Sequence, residues 1–570
     1  MPILTRISCS LLLWLTIATG VLGQQPVPEM PRVYVDTSYR HPEGARIFVR
    51  NGGDLQSALD AVNPGGTVIL EAGATFIGNF ALAPKTGTGW IYIESSAIDS
   101  LARPGRRTSP AEAKYMARVQ TPNSTSAIAV LPGAANYRII GLEITPSEGA
   151  PRVYHLVNID SASSDVESHL RDFAQRVAPA LVGQDQFPHN ITIDRCYIHG
   201  SEKQDVRQGV VANGIAVAVI DSYISDIHDS TMDSQGILVY RTPGPIKIVN
   251  NLVSSTTENI MFGGAGGTTN PYVPSDIEIR WNWLFKPLSW IPLTTIPPFK
   301  WSVKNNLEFK SAQRAIVTGN LLENNWKSGQ IGYSVVLTPR TADDQGGPNT
   351  VVDDITIESN ILKNVVSGFS TLEQDDGCKP PSCKWPGEEK RLKIDNNLIL
   401  FMPSKSPGWD RNWGFSVAVN LTDVVFQHNT MVLADYSTAD QSLWFNSVQG
   451  WPWPPLQPYT HNLWVLDNVL SRQPSGDSAG LLGTRGLTYY MGDPAPLDKR
   501  FMGNVMYVPS GDTMPSYPPR NSLQTKIAFA DPAAGNYQLT APKWTQTSDG
   551  ALAGVNAASL QAAMNPDAGP

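Results

Sequence analysis

Residues 191–198 read ITIDRCYI, 217–224 VAVIDSYI, 246–253 IKIVNNLV and 277–284 IEIRWNWL. The pattern returns as AIVTGNLL at 315–322, ITIESNIL at 355–362, LKIDNNLI at 392–399, VVFQHNTM at 424–431 and LWVLDNVL at 463–470. In general form it is apolar-x-apolar-x-x-Asn-x-apolar. Cys196 and Ser222 replace the amide in the first two copies, and Asn251, Asn282, Asn320, Asn360, Asn397, Asn429 and Asn468 supply it in the others. The polar position recurs every 26 to 40 residues, and a weaker copy centred on Asn504 closes the series. Period-two alternation and β-branched residues make each copy a strand. No amphipathic helix long enough for a crossover lies between copies, which excludes βαβ units and leucine-rich repeats.

A second short strand precedes most copies: GILVY at 236–240, NIMFGG at 259–264, LEFKS at 307–311, YSVVLTP at 333–339, GFSTLE at 368–373, GFSVAV at 414–419 and LWFNS at 443–447. At least two strands per repeat, joined by tight turns such as TPGP at 242–245, is the plan of a parallel β-solenoid. Equivalent residues of successive coils then stack ~4.8 Å apart, so one Asn per coil builds an amide ladder. Those Asn residues are structural on this reading. Nine or ten coils predict a rod about 45 Å long.

The 570 residues include 47 Gly and 45 Pro, with 41% hydrophobic and 16% charged residues, which suits one large core with many turns. A formal charge of -8 leaves no basic footprint for nucleic acid, and attraction for a polyanion would have to be local. Residues 1–23 read as an export leader, with Arg6 ahead of an apolar run from Leu11 to Leu22. That run is too short for a membrane span and no longer one follows. The expected product begins near Gln24 and is a monomer exported to the periplasm or the extracellular space. An N-terminal extension at 24–44, a β-helix at 45–510 and a closing tail at 511–570 complete the expected organisation.

Over roughly residues 45 to 510 the chain resembles the pectin-lyase-like superfamily of right-handed parallel β-helices. The segment DLQSALDAVNPGGTVILEAGATF at 54–76 is similar to that superfamily's opening, where a short helix around Leu55 to Ala61 caps the open end of the coil. FADPAAGNYQLTAPKW at 529–544 resembles its tail hairpin, and the Ala-rich end beyond Ser548 can add a small helix. The resemblance implies an all-β right-handed parallel β-helix of about ten or more coils and an extracellular polysaccharide as partner. It does not name a reaction. The polygalacturonase NTD, DD, GHG and RIK set, the pectate-lyase WIDH, the methylesterase GDFIFG and the epimerase DPH are all missing.

Polar residues concentrate between 199 and 345. If GILVY and NIMFGG stack in register, Gln235 lies beside Glu258, with Asn213 before and Asn305 or Lys304 after, and such a column would floor a groove. A lyase needs a base for the proton α to a uronate carboxylate and a cation for the developing enolate; Lys304, Lys286, Arg280, Arg314 and Arg340 are candidates. A hydrolase needs two carboxylates across the scissile bond, from Glu258, Glu308, Glu323, Asp229 and Asp233. Glu258, Lys304, Glu308 and Arg340 are the leading catalytic group. Gln235, Arg280, Lys286, Trp290, Arg314, Glu323 and Trp326 are expected to hold substrate. Trp281, Trp283, Trp290, Trp301 and Trp326 read either as a sugar-stacking flank or as loop closures, and Asp229 and Asp233 either as acids or as turn caps. The opposing hypothesis is a non-catalytic glycan-binding surface protein.

Cys378 and Cys383 flank Pro380 and Pro381 and suit a disulfide in an oxidising compartment, while Cys196 reads as a small buried hydrophobe. His199, His228 and His461 have no zinc spacing, and no cofactor is expected beyond calcium at Asp226, Asp229 and Asp233. Sequons stand at Asn123, Asn190 and Asn420.

Overall fold

A computed structural model describes residues 25–160, 186–264, 271–340, 350–372, 389–418, 421–435, 441–446, 460–476, 483–491, 497–540 and 547–565. Their strands form three long parallel sheets of 14, 14 and 12 strands. Sheet 1 holds the first half of each repeat, as in Ile246–Val249 and Ser275–Arg280. Sheet 2 holds the second half, as in Leu252–Ser255 and Trp283–Phe285, and sheet 3 holds the extra strands, as in Gln235–Val239, Glu258–Phe262 and Asn305–Phe309. From Thr67–Leu70 to Val505–Tyr507 the chain visits the sheets in that order, so each strand pairs with its counterpart one coil on. This is a right-handed parallel β-helix. Fourteen strands at ~4.8 Å make the rod roughly 60 Å long, beyond the length expected from the repeats. The coils before Cys196 lack the polar signature of the repeat: an apolar residue, Leu142, takes the position that Cys196 and then the Asn series occupy later.

The bend from sheet 1 to sheet 2 is made by one residue with positive φ just before the ladder position: Arg195 (49°), Asp221 (54°), Asn250 (57°), Trp281 (55°), Gly319 (67°), Ser359 (54°), Asn396 (55°), His428 (50°) and Asp467 (57°). Such a conformation costs about 1–2 kcal/mol for a residue with a Cβ. The ladder offsets it. Asn282 Oδ1 accepts from the Asn251 backbone N (2.9 Å) and Nδ2 (3.0 Å), Asn320 Oδ1 does the same for Asn282, and Asn360 Oδ1 for Asn320. The chain of bonds runs unbroken to Asn504 and then Asn521. Each Nδ2 also donates to sheet 1 carbonyls, as Asn282 does to Ile248 O at 2.8 Å. Cys196 sits at the start, buried and unpaired, with burial raising its thiol to about 12.

Inside, apolar columns run along the rod. Ile248, Ile279, Val317, Ile357, Ile394, Phe426 and Val465 stack in sheet 1, and Ile260, Leu307, Val335, Phe369 and Phe415 in sheet 3. Burying each such side chain contributes about 1.5–3 kcal/mol. The helix Leu55–Ala61, N-capped by Asp54, packs Leu55, Ala58 and Leu59 into the first coil and keeps water off it. The hairpin of Phe529–Asp531 and Asn536–Leu539 and the helix Ala557–Ala563 form near the other end of the sequence.

Two sides of the rod are clad. Residues 29–41 run along sheet 1, tied at Asp354, Asp276, Lys247, Arg138 and Glu94. The bend carrying the Asn ladder is covered by residues 102–108 as far as Trp281, and by residues 548–563 from Asp467 back to Trp281. At the outer corner where sheet 3 begins, the segment leading into Lys304 crosses back over the coils, with Lys300 Nζ donating to Glu202 O at 2.9 Å and Trp301 stacked on His228.

Candidate active site

At that corner, residues at or near the start of neighbouring sheet 3 strands stand in register: His155 beside Gln208, Gln208 beside Gln235, Gln235 beside Glu258 and Glu258 beside Asn305. The expected neighbours Gln235, Glu258 and Asn305 do stack. Asn213 does not precede them; it binds the Tyr240 and Arg241 amides and Asp160 at the far end of its strand. Its place is taken by Gln208, because the chain in HGSEKQDVRQ enters sheet 3 at Val206.

Glu258 is completely buried. One carboxyl oxygen, Oε2, lies 2.8 Å from the Gln235 amide, whose other end is 2.7 Å from the Gln208 amide. Oε1 lies 3.9 Å from Lys304 Nζ and accepts no hydrogen bond among the described residues. Lys304 is 17% exposed and is closed over by Asp233, which is 45% exposed and hydrogen-bonded to its ammonium. Burial first, and the neighbouring Glu308 carboxyl second, push Glu258 up to about 7, against the opposing pull of Lys304. Burial works to lower the Lys304 ammonium, but Glu258 and Asp233 outweigh it and hold its proton more tightly than usual. Lys304 therefore suits a fixed cation and not the base of an elimination.

Glu308 stands one coil on and three residues along the strand, roughly 11 Å from Glu258 between Cα atoms by strand geometry. It is buried, with Oε2 3.4 Å from Lys310 Nζ. Lys310 was not singled out from the sequence, although its place two residues after Glu308 on a strand puts both on one face. The backbone N of Arg340 donates to Lys310 O at 2.9 Å, which brings Arg340 to this neighbourhood.

The remaining candidates lie elsewhere. Arg280 pairs with Glu278 (2.8 Å) and Arg314 with Asp276 (2.8 Å), both on sheet 1. Glu323 is on sheet 2, bonded to Trp283 Nε1 and Lys363. Lys286 is not a surface cation but fully buried; its Nζ donates to the carbonyls of Ser255, Thr256 and Thr257 at 2.8, 2.9 and 3.2 Å. Burial lowers its amine to about 7 while Glu258 pulls it back, and three carbonyl acceptors match the three protons of an ammonium. Trp290 and Trp326 are also buried, in one cluster with Trp301, Val303, Val366 and Met402, so they close a loop over the coil and offer no sugar platform. Trp281 lies under the C-terminal tail, with Nε1 donating to Ala563 O at 2.9 Å.

Asp229 caps the Thr231 and Met232 amides and accepts from Arg152. With Asp233 on Lys304, Asp226, Asp229 and Asp233 do not converge on a cation. Among the described residues, the group that brings three metal-type ligands together is His428, Asp467 and Asp549, where Ser548 already occupies Asp467 under the tail. His228 is buried against Trp301, ring centroids 4.0 Å apart, and burial lowers it to about 4. Cys378, Cys383 and Asn420 lie outside the described residues. Asn123 and Asn190 bond Asn79 and Asn136.

Beside the corner is a cavity of about 360 Å³ lined by Thr294, Phe299, Trp301, Ser302, Lys327 and Ser328. Phe299, 62% exposed, stands at its mouth. Trp301 and Ser302 lead directly into Lys304, so the cavity and the charged corner share one segment.

No family model matches the chain, and no curated protein does. Solved structures do. An alginate lyase from Paenibacillus is 14% identical, covering 71% of this chain and 93% of its own, with a TM-score of 0.34. The pectate lyase Pel9A is 13% identical over 62% and 76%, with a TM-score of 0.36. The PL6-family alginate lyase AlyGC is 12% identical, covering 90% of this chain but 57% of its own, with a TM-score of 0.46. At these values the fold rests on the three parallel sheets themselves and the chemistry on the site. The chain has a right-handed parallel β-helix fold.

Proposed function

We propose that the protein cleaves an acidic extracellular polysaccharide by hydrolysis at the corner where sheet 3 begins, with Glu258 as general acid and Glu308 as its carboxylate partner. The observation that carries this reading is the buried Glu258 carboxyl, with one oxygen unsatisfied among the described residues, raised towards neutrality by burial and by the Glu308 carboxyl, with Lys304 and Lys310 beside the two acids. A structural carboxyl is normally fully hydrogen-bonded, and a buried carboxyl raised towards neutrality is the usual state of a general acid. Access to Glu258 requires the Asp233–Lys304 pair to part. A uronate carboxylate can take the place of Asp233 on Lys304, which couples substrate charge to opening of the site. Phe299 and its cavity give an adjoining sugar unit an apolar face and polar rim. The bound cation state of Lys304 is what favours hydrolysis over elimination.

The test is a polysaccharide panel read two ways, by new reducing ends and by absorbance near 235 nm from unsaturated uronate. Reducing ends without absorbance, lost in Glu258→Gln, are the expected result. Absorbance would make the protein a lyase, and binding without either signal would make it a glycan-holding surface protein.

A further inference from the structure

The hydrogen bonds of the polar column constrain Glu258 beyond the charges around it. An amide presents an acceptor at one tip and donors at the other, and which is which follows from the groups it faces. If Gln235 Nε2 donated to Glu258 Oε2, and Gln208 Nε2 to Gln235 Oε1, Gln208 Oε1 would face the Tyr154 carbonyl oxygen at 2.7 Å. Two acceptors would then meet with no proton between them. In the same orientation Gln208 Nε2 would face Arg207 Nε at 3.1 Å, setting donor against donor. Turning Gln208 removes both conflicts. Its nitrogen donates to Tyr154 O and to His155 Nδ1 (2.9 Å), and its oxygen accepts from Arg207 Nε.

That turn propagates. Gln208 now offers its oxygen to Gln235, so Gln235 must point its nitrogen back along the column and its oxygen at Glu258 Oε2, 2.8 Å away. An amide oxygen and a carboxylate oxygen cannot share that contact unless a proton lies between them.

We infer that the Tyr154 carbonyl, acting through Gln208 and Gln235, fixes a proton on Oε2 of Glu258 and leaves Oε1 as the bare oxygen facing Lys304. Gln208 and Gln235 are positioning residues. They hold the acid in its loaded form across three coils, and once the proton leaves, the carboxylate gains a donor from Gln235 only if both amides turn and Gln208 meets Tyr154 again. The column therefore favours reloading. The charged groups around Glu258 act on the same equilibrium: Lys304, Lys310 and Lys286 favour the carboxylate, while Glu308 and Asp233 favour the acid. Arg207 and His155 stand at the Gln208 end.

This deepens the proposed acid role but is tested without substrate, so it can fail while the polysaccharide assay succeeds, and the reverse. Glu258 is followed by infrared titration as the carboxylic C=O band that disappears in Glu258→Gln. In Gln208→Leu, Gln235 is released to donate to Glu258, and the proton affinity of the carboxyl is expected to fall at least tenfold. An unchanged or higher affinity overturns the inference. Neutron diffraction of the deuterium-exchanged wild-type chain below the titration midpoint decides the point if Gln208→Leu does not fold. A deuteron on Glu258 Oε2 and an ND2 of Gln208 aimed at Tyr154 O are expected; an ND2 of Gln235 aimed at Glu258 overturns it.

Discussion

Two polar columns run along this rod, built by the same stacking and differing in how they end. The Asn ladder on the bend between sheets 1 and 2 repeats one residue type, so each amide accepts from the coil before it and donates onward, from Asn251 to Asn521. The column at the start of the sheet 3 strands reads His155, Gln208, Gln235, Glu258 and Asn305, and among the described residues it leaves oxygens of Glu258 and Asn305 without a donor. The first column is covered by straps, and over Glu258 in the second lies Lys304, held by the half-exposed Asp233. Repetition satisfies itself. A heterogeneous column strands a titratable group, and a stranded group in a buried place is available for chemistry.

Breaking the satisfied column should cost most. Asn320→Leu removes the acceptor of two buried Asn282 donors and the donor to Ile279 O and Thr318 O. A loss of about 4 kcal/mol is expected, read as a lowered midpoint in denaturant unfolding. A loss under about 1 kcal/mol would mean that the ladder is not what offsets the strained bends.

Glu258→Gln should act oppositely and only above a certain pH. A carboxyl raised from 4.5 to about 7 on folding binds more protons in the folded chain than in the unfolded one between those values. The wild type therefore loses stability as pH rises through that window and stays at the lower level above it, by on the order of 3 kcal/mol. Unfolding midpoints of wild type and Glu258→Gln should diverge between pH 4.5 and 7, with the variant the more stable at pH 8. Parallel pH profiles would show that Glu258 is not held as an acid.

The smallest effect is expected at Asp233. Asp233 is 45% exposed, so Asp233→Asn should change stability by less than about 0.5 kcal/mol. It removes the internal competitor for Lys304, and KM for an acidic glycan should fall about threefold with kcat unchanged. A raised KM would place Asp233 on the substrate instead of in its way.

Much of this arrangement was legible in the chain as text. The pairing of Gln235 with Glu258 follows from aligning two strands, and the failure of Asn213 to join them follows from an entry point that no alignment of apolar residues reveals. Lys286 and Trp290 look identical to surface groups in the sequence; burial by the segment that returns over them makes one a clasp for three carbonyls and the other part of a plug.

The periodic residues by themselves determined the solenoid, its amide ladder and the neighbours along each sheet, because one coil's side chains can stack only on those of the next. Which groups face one another across the coil was decided only in three dimensions. The positive-φ bends and the lengths of the intervening loops set where each strand enters its sheet, and it is that entry that puts Lys304 and Asp233 over Glu258, Glu308 within its field, and the Tyr154 carbonyl at the head of its column.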